Sequence, residues 1–185
     1  ALQGNLKRRD GNDHAVTLCD EVEKSLAGSN GSANDGGVTR RIVGTILTYM
    51  QERKKPVFFV FSANDVTSLP PELMRKGRLD EIWLVDLPNV VERKAIFEIH
   101  LRKRKRDVAQ FDLDVLAGVT LGFVGAEIEA VVVDALYDAW DAGADITTQS
   151  LVAAAGRTSP LSITAKEKID AARDRAKTRA RPASQ

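Results

Sequence analysis

The apolar and polar positions in the first half of the chain predict short buried strands that alternate with helices. Mainly apolar runs occupy residues 15–19, 57–61 and 82–85, and each run is followed by a polar residue. A short helix is predicted over residues 22–27, and residues 38–52 repeat apolar side chains at the spacing of a one-sided helix. Strands alternating with helices of this length are typical of an α/β layer with a parallel sheet.

The second half of the chain shows helical periodicity throughout. Asn89 and Glu92 have the spacing of a capping box, which predicts a helix that continues to about residue 106. Thr147 is predicted to cap a later helix, and Thr164 with Glu167 predicts a last helix that ends near residue 180. The strongest apolar stripe predicts a helix from Gly125 to Ala142; its members are Ile128, Val131, Val132, Ala135, Leu136 and Ala139.

These changes of pattern divide the chain into four segments. Residues 1–14 are polar and without period, which predicts a loop or a fraying helix. Residues 15–88 form the α/β segment and residues 89–156 a small helical segment. Residues 157–185 are predicted to be a basic helix and tail. Within the α/β segment, residues 28–37 are rich in Gly, Asn and Ser, which predicts a flexible loop.

Composition limits the classes of function. The chain of 185 residues carries 27 basic and 26 acidic side chains, so the net charge of +1 gives no general attraction to nucleic acid or membrane. No apolar run reaches the roughly 20 residues of a membrane helix. The single cysteine, Cys19, cannot form an intrachain disulfide, which favours the reducing cytoplasm. The chain begins at Ala1, as expected either after removal of an initiator Met or for a fragment of a longer protein.

Polar side chains with chemical potential follow the first two predicted strands. Asp20 and Glu21 close the first strand, where an acid pair can orient Mg²⁺ and polarise a water; acids are also common in the first turn of a helix. Asn64 follows the second strand and can hold a water, although Asn is frequent in turns. Arg75 and Arg78 flank a Lys-Gly pair and can reach a polyphosphate, but each alone is typical of a solvated surface.

The order of these features along the chain resembles the AAA ATPases of the AAA+ superfamily, from Ala15 to about Ala155. The resemblance rests on the strand with its acid pair, the strand with its Asn, the segment 71–80 and the later sequence Gly-Phe-Val-Gly-Ala-Glu at 122–127. The phrases Asp-Glu-Val-Glu-Lys-Ser-Leu-Ala-Gly and Ala-Glu-Ile-Glu resemble the cyanobacterial and plastid "ycf"-type AAA proteins. The implied fold is a P-loop NTPase parallel sheet followed by an α-helical lid domain.

The resemblance assigns roles to the candidate residues. Asp20 matches the Walker B acid that holds Mg²⁺, and Glu21 matches the catalytic base. Asn64 matches sensor 1, which positions the lytic water. Arg75 and Arg78 match arginine fingers, which act on the ATP of a neighbouring subunit.

Further roles concern the lid, the pore and the assembly. Gly125 and Ala126 match the lid turn near the nucleotide, and residues 28–37 match a second pore loop. The resemblance implies ATP and Mg²⁺ as cofactors and a homo- or hetero-oligomeric ring of AAA subunits. It also implies remodelling of a protein substrate, which the sequence does not identify.

The chain departs from the family at several positions. No Gly-x-x-x-x-Gly-Lys-[Ser/Thr] phosphate cradle occurs in it, and residues 1–14 do not match the helix that the family has before Walker B. In the family, the cradle strand lies between the strand that ends at Asn64 and strand 82–85, so we expect an incomplete sheet and a truncated or disrupted AAA protein. Such a chain should bind ATP weakly or not at all by itself. Val124 replaces the usual Ser or Thr of the lid turn, which predicts a looser start of that helix.

Two other functions remain open from the sequence. The chain could be a non-catalytic partner subunit that lends Arg75 and Arg78 to an intact AAA protein. It could also be a nucleic-acid-binding module built on the basic run 102–106 and the basic last helix, although no aromatic residues interleave with that run. His14 and His100 have no partners at metal-ligand spacing, so no zinc site is predicted.

Overall fold

We describe the chain in a computed structural model. The described residues are 15–26, 36–52, 57–65, 69, 72–75 and 77–184. The chain divides into two compact units, and the division falls between Ile82 and Trp83, a few residues before the boundary predicted near Pro88. The predicted loop or helix over residues 1–14 lies outside the described residues, as does most of the predicted loop 28–37.

The first unit contains a pair of parallel strands and two helices. Its elements are β1 (Ala15–Cys19), α1 (Val22–Leu26), α2 (Gly36–Glu52) and β2 (Val57–Phe61). Strands β1 and β2 run parallel, with Ala15 opposite Val57 and Cys19 opposite Phe61. The apolar runs of the sequence therefore form strands at the predicted positions, and the helix between them begins two residues before its predicted start.

Side chains alternate between the two faces of this sheet, as strand geometry requires. Val57 is buried on one face, where Phe59 also meets Tyr49 of α2 edge-on with ring centroids 5.9 Å apart. The opposite face is apolar and exposed, since Val16 and Phe58 lie opposite each other and each is 67% exposed.

The second unit is mainly helical. Its elements are β3 (Trp83–Leu84), α3 (Val90–Lys103), a 3-10 turn (Val108–Gln110), α4 (Leu113–Val119), α5 (Gly125–Asp141), α6 (Thr148–Gly156), α7 (Leu161–Thr164), α8 (Lys166–Arg179) and β4 (Arg181–Pro182). Helices α3 to α6 enclose a single apolar core. Its largest fully buried side chains are Phe97, Leu101, Leu116, Ile128, Val131, Val132 and Leu151. An α/β arrangement with parallel strands, followed by helices, is the predicted fold class and is confirmed.

Two of the predicted helix caps are present. The Glu92 amide donates to Asn89 Oδ1 at 3.0 Å, and the Asn89 amide donates to Glu92 Oε2 at 2.7 Å, which completes the capping box of α3. At α6 the Ser150 amide donates to Thr147 Oγ1 at 3.2 Å. Each cap satisfies backbone groups that the first helical turn leaves without an intrahelical partner.

The capping box predicted for Thr164 and Glu167 is wrong. Thr164 is the last residue of α7, and Ala165 stands at the N-cap of α8 without a side-chain hydrogen bond. The amide of Thr164 donates to the carbonyl of Pro160 at 3.2 Å, so its backbone is already part of a helical turn. An N-cap residue requires an extended backbone, which Thr164 cannot adopt there.

The C-terminal segment returns to the start of the second unit. Strand β4 pairs parallel with β3, with Trp83 opposite Arg181, and the Ala183 amide donates to the Leu84 carbonyl at 2.9 Å. Arg173 of α8 donates through Nε to both carboxylate oxygens of Asp86, at 3.0 and 2.8 Å. This hydrogen bond from Arg173 lowers the pKa of Asp86 below its ordinary value.

Candidate functional site

The candidate polar residues of the first unit meet at the carboxyl ends of β1 and β2. Because the strands are parallel, the residues that follow them lie at the same edge of the sheet. The Ser62 amide donates to the Cys19 carbonyl at 3.0 Å, and the Val22 amide donates to the Ser62 carbonyl at 2.9 Å. These two bonds extend the strand pairing past the last strand residues and fix Asp20 and Glu21 beside the segment 62–64.

Glu21 and Asn64 contact each other directly. Asn64 Nδ2 donates to Glu21 Oε1 at 3.3 Å. The acid and the amide that the sequence placed at two strand ends therefore point into one shared polar cluster. An amide beside a carboxylate orients that carboxylate and can hold a water against it.

Ser62 links the two acids, and the sequence reasoning assigned it no role. Its Oγ accepts a hydrogen bond from the Glu21 amide at 2.9 Å and donates one to Asp20 Oδ1. The sequence signal that could have identified Ser62 is its position directly after the second strand, as Asp20 follows the first. Since Cys19 lies opposite Phe61, the two residues that follow them, Asp20 and Ser62, must also be adjacent.

Glu21 has an unusual backbone conformation. Its φ angle is 47°, in the left-handed region that residues with a Cβ adopt at a cost of about 1 kcal/mol or more. The hydrogen bond from its amide to Ser62 helps to hold this conformation. Strained residues of this kind concentrate at functional sites, and here the strain falls on the candidate base.

Lys24 forms an ion pair with the same carboxylate. Its Nζ lies 2.6 Å from Glu21 Oε1, and this hydrogen bond raises the pKa of the Lys24 ammonium above its ordinary value. Both side chains are exposed, so the pair stabilises the fold little. The ion pair matters for the site itself, because Oε1 of Glu21 accepts hydrogen bonds from both Lys24 and Asn64.

Glu23 is a third acid at this edge of the sheet, and the sequence reasoning assigned it no role. Its side chain is only 7% exposed, and its Oε1 accepts a hydrogen bond from the Asn64 amide at 3.1 Å. Its Oε2 is buried without a hydrogen-bond partner among the described residues. Glu23 therefore fixes the backbone of Asn64, while Glu21 fixes the side chain.

The two candidate arginines lie on one tight turn. The Arg78 amide donates to the Arg75 carbonyl at 3.3 Å, and Gly77 has a φ of 85°, which glycine adopts without strain. Arg75 is exposed, whereas Arg78 is half-buried. Nη1 of Arg78 is buried and has no hydrogen-bond partner in the part of the chain that the structure describes. Neither guanidinium is hydrogen-bonded to Glu21 within those residues.

Gly125 and Ala126 belong to the second unit, where they open α5. Val124, the N-cap residue, makes no side-chain cap, as expected for an apolar residue. Glu127 partly replaces the cap, because its Oε2 accepts from the Val124 amide at 2.8 Å. Its Oε1 accepts from the Leu161 amide at 2.8 Å, so one carboxylate ties the starts of α5 and α7 together.

The acid pair fits a magnesium ion better than a protein-only metal site. The described residues contain no group of three or more His, Cys, Asp or Glu side chains that could hold a metal. Mg²⁺ needs fewer protein ligands, because it commonly takes one or two carboxylates and completes its shell with phosphate and water oxygens. Asp20 is exposed and oriented by Ser62, which fits such a ligand.

The basic run 102–106 is largely paired with acids of the same unit. Arg102 pairs with Glu98, and Lys103 and Arg104 pair with Glu129. The hydrogen bond from Arg104 lowers the pKa of Glu129. These acids reduce the local positive charge, which counts against a phosphate-binding face.

The helices give no sign of a membrane span: no helix in the described part of the chain has the length and apolar character to cross a bilayer. Helix α5 reaches 17 residues but carries several acidic side chains.

Comparison with known proteins gives consistent matches. Residues 2–87 match the family described as "ATPase family associated with various cellular activities (AAA)". The chain is 40% identical over 160 residues to the "Uncharacterized AAA domain-containing protein ycf46" of Guillardia theta, which covers 86% of this chain and 31% of that protein. It is 38% identical over 162 residues to the protein of the same name from Pyropia yezoensis, covering 87% and 33%.

The similarity to curated relatives extends beyond the family match into the helical unit. The chain spans about a third of the length of the curated relatives that it matches. These matches confirm the resemblance to AAA proteins that was inferred from the acid pair, the Asn and the later motifs. Residues 2–87 of this chain belong to the family of AAA ATPases.

Proposed function

We propose that this chain supplies the hydrolytic part of an AAA ATPase site. The observation that carries the proposal is the hydrogen bond from Asn64 Nδ2 to Glu21 Oε1 at the ends of two adjacent parallel strands. An acid and an amide in contact are the pair that holds and deprotonates a water. Asp20, next to them, is the residue that would hold Mg²⁺.

Each residue of the cluster has a separate role in the proposed hydrolysis. Glu21 accepts the proton of the attacking water, and Asn64 keeps both the carboxylate and the water in place. Ser62 orients Asp20 and the backbone of Glu21. When bound, Mg²⁺ would neutralise charge on the phosphate oxygens. Lys24 must leave Glu21 Oε1, or share it, when the water enters, because the ammonium and the water compete for the same carboxylate oxygen.

Arg75 and Arg78 are proposed to act on the ATP of a neighbouring subunit. The turn at Gly77 brings both residues onto one short segment, and Arg75 extends into solvent. A guanidinium supplied from outside can raise the rate of phosphoryl transfer by about 10³–10⁵. Since AAA proteins typically form rings, the proposed assembly is a ring in which ATP hydrolysis remodels a protein substrate.

The phosphate cradle is absent from these 185 residues, so we expect no ATP turnover from the chain alone. A protein that carries the cradle must complete the site. This leaves two arrangements for the same residues: the chain as part of a catalytic subunit, or as a partner that lends its arginines.

A mixing experiment tests the proposal. ATP turnover is measured for the chain alone, for the full-length Guillardia theta relative alone and for the mixture. Turnover that rises in the mixture and falls again with Arg75→Ala or Arg78→Ala supports the lending of arginines. Arg102→Ala is the matched control, because this exposed arginine lies in the helical unit and, among the described residues, pairs with Glu98.

The acid pair is tested separately from the arginines. Mn²⁺ binding to the chain, followed by paramagnetic broadening of the NMR signals near residue 20, should weaken at least severalfold in Asp20→Asn, while Glu21→Gln should retain binding. Equal binding by the original chain and Asp20→Asn would contradict the assignment of Asp20. A mixture whose turnover does not respond to Arg75→Ala or Arg78→Ala would contradict the role of the arginines.

A further inference from the structure

The outer side of α5 exposes two large aromatic side chains. Tyr137 is 70% exposed and Trp140 is 83% exposed, although the inner side of the same helix is fully buried at Ile128 and Val131. The two residues are three positions apart and therefore lie on one face of the helix. Within the described residues neither ring stacks on another aromatic ring.

Two acidic side chains lie beside Tyr137 on the same helix. Asp134 lies one turn before Tyr137 and Asp141 one turn after it, on the same face. Both are exposed, and neither forms an ion pair within the described part of the chain. By contrast, Asp138 pairs with Arg157. We call Asp134, Tyr137, Trp140 and Asp141 the aromatic–acidic surface.

The two rings contribute little to the stability of the unit itself. The rings bury little area against the core, so they contribute little of the free energy that aromatic burial normally provides. Trp and Tyr are instead enriched where proteins bind one another. The face of an indole ring attracts a cation, and neighbouring carboxylates strengthen that attraction.

We propose that the aromatic–acidic surface binds an arginine- or lysine-rich segment of a partner protein. Guanidinium groups would stack on Trp140 and Tyr137 and form ion pairs with Asp134 and Asp141. Charge complementarity selects this occupant, because the two acids repel a polyanion such as nucleic acid. The proposal is independent of the ATP site, since all four residues lie on one helix of the second unit.

A second copy of the chain is a poorer occupant. Its most basic helix is α8, but two of the basic residues there already have acidic partners, namely Arg173 with Asp86 and Lys177 with Asp174. If Arg173 or Lys177 bound another copy, its present ion pair would have to break, whereas a separate cationic segment carries no such cost.

Tryptophan fluorescence tests the proposal with a short oligoarginine peptide at low salt. The chain has two tryptophans, so the Trp83→Phe variant leaves Trp140 as the reporter. We expect saturable quenching by oligoarginine and none by the matched oligocitrulline peptide, which keeps the shape but lacks the charge. Binding should weaken as salt is added.

Variants identify the surface as the binding site. Binding measured by calorimetry should be about tenfold weaker in Trp140→Ala, and also in the double variant Asp134→Asn, Asp141→Asn. The control Asp170→Asn, Asp174→Asn removes the same charge from α8 and should bind as the original chain does. Equal weakening in both double variants would show a general charge effect and overturn the proposal.

Sedimentation velocity separates the two occupants. If the chain self-associates and Trp140→Ala abolishes that association, the surface belongs to a contact between copies and the proposal is overturned. A monomeric chain that binds oligoarginine through Trp140 supports it. Since all the substituted side chains are exposed, circular dichroism is expected to show unchanged folding in each variant.

Discussion

Arg93 of α3 is a buried cation that holds two segments of the helical unit together. Its side chain is 5% exposed. Nε donates to the Ala117 carbonyl at 3.0 Å, and Nη1 donates to the Pro88 carbonyl at 2.7 Å. Ala117 lies in the last turn of α4, where carbonyls have no intrahelical partner and the helix dipole favours a positive charge. We predict that Arg93→Met destabilises the second unit.

The expected magnitude follows from these contacts. Hydrogen bonds from a charged donor contribute about 1.5–3 kcal/mol each, so the loss of two amounts to about 3–6 kcal/mol. Methionine also removes the desolvation cost of a buried cation, which offsets part of that loss. The net destabilisation should be about 2–3 kcal/mol. Arg93→Lys should destabilise the unit less than Arg93→Met does. It should still be less stable than the original chain, because an ammonium cannot reproduce the planar fork of the guanidinium.

Urea unfolding followed by tryptophan fluorescence measures the effect, because Trp83 and Trp140 both lie in the second unit. The matched control is Arg102→Met on the same helix, where the arginine is exposed and its ion pair with Glu98 is worth about 0.3–0.5 kcal/mol. A midpoint for Arg93→Met that coincides with that of the control would refute the reasoning.

Two further predictions concern the same unit. Asp86→Asn should destabilise the chain at neutral pH, where the carboxylate that Arg173 stabilises is ionised. Because the folded pKa of Asp86 is lowered, the difference should vanish as the pH falls through that value, below about 3.9, in urea titrations at several pH values; a difference that grows in acid would contradict this sign. Gly122→Ala should lower the melting temperature, because φ is 83° and the new Cβ would lie 2.2 Å from Ser162 Oγ. At Gly118 in α4 a new Cβ would meet open space, so Gly118→Ala should raise the free energy of unfolding by about 0.5–1 kcal/mol. Equal shifts of the melting temperature in the two glycine variants would contradict the steric argument.

The elements that the sequence predicted correctly are those with strong local signals. The apolar runs at 15–19 and 57–61 became paired strands, and the period from residue 125 became α5. The contact between Glu21 and Asn64 was also foreseeable, because both follow strands that a parallel α/β pattern places side by side.

The missed features depend on contacts between distant parts of the chain. Ser62 and Glu23 acquire their roles only when the strand register is fixed, since each bonds to a residue about 41 positions away. Strand β4 has two residues, too few to show any period in the sequence, and it is defined by its pairing with β3. At Thr164 the capping spacing was present, but the turn that begins at Pro160 took precedence.

The parallel pairing of β3 with β4 has a practical consequence for protein engineering. The chain enters the helical unit at Trp83 and later returns to Arg181, which lies opposite Trp83, so entry and exit are neighbours in space. A module with adjoining ends can be spliced into a surface loop of an unrelated host without stretching either protein. Residues 83–182 thus have the geometry of a transplantable cassette.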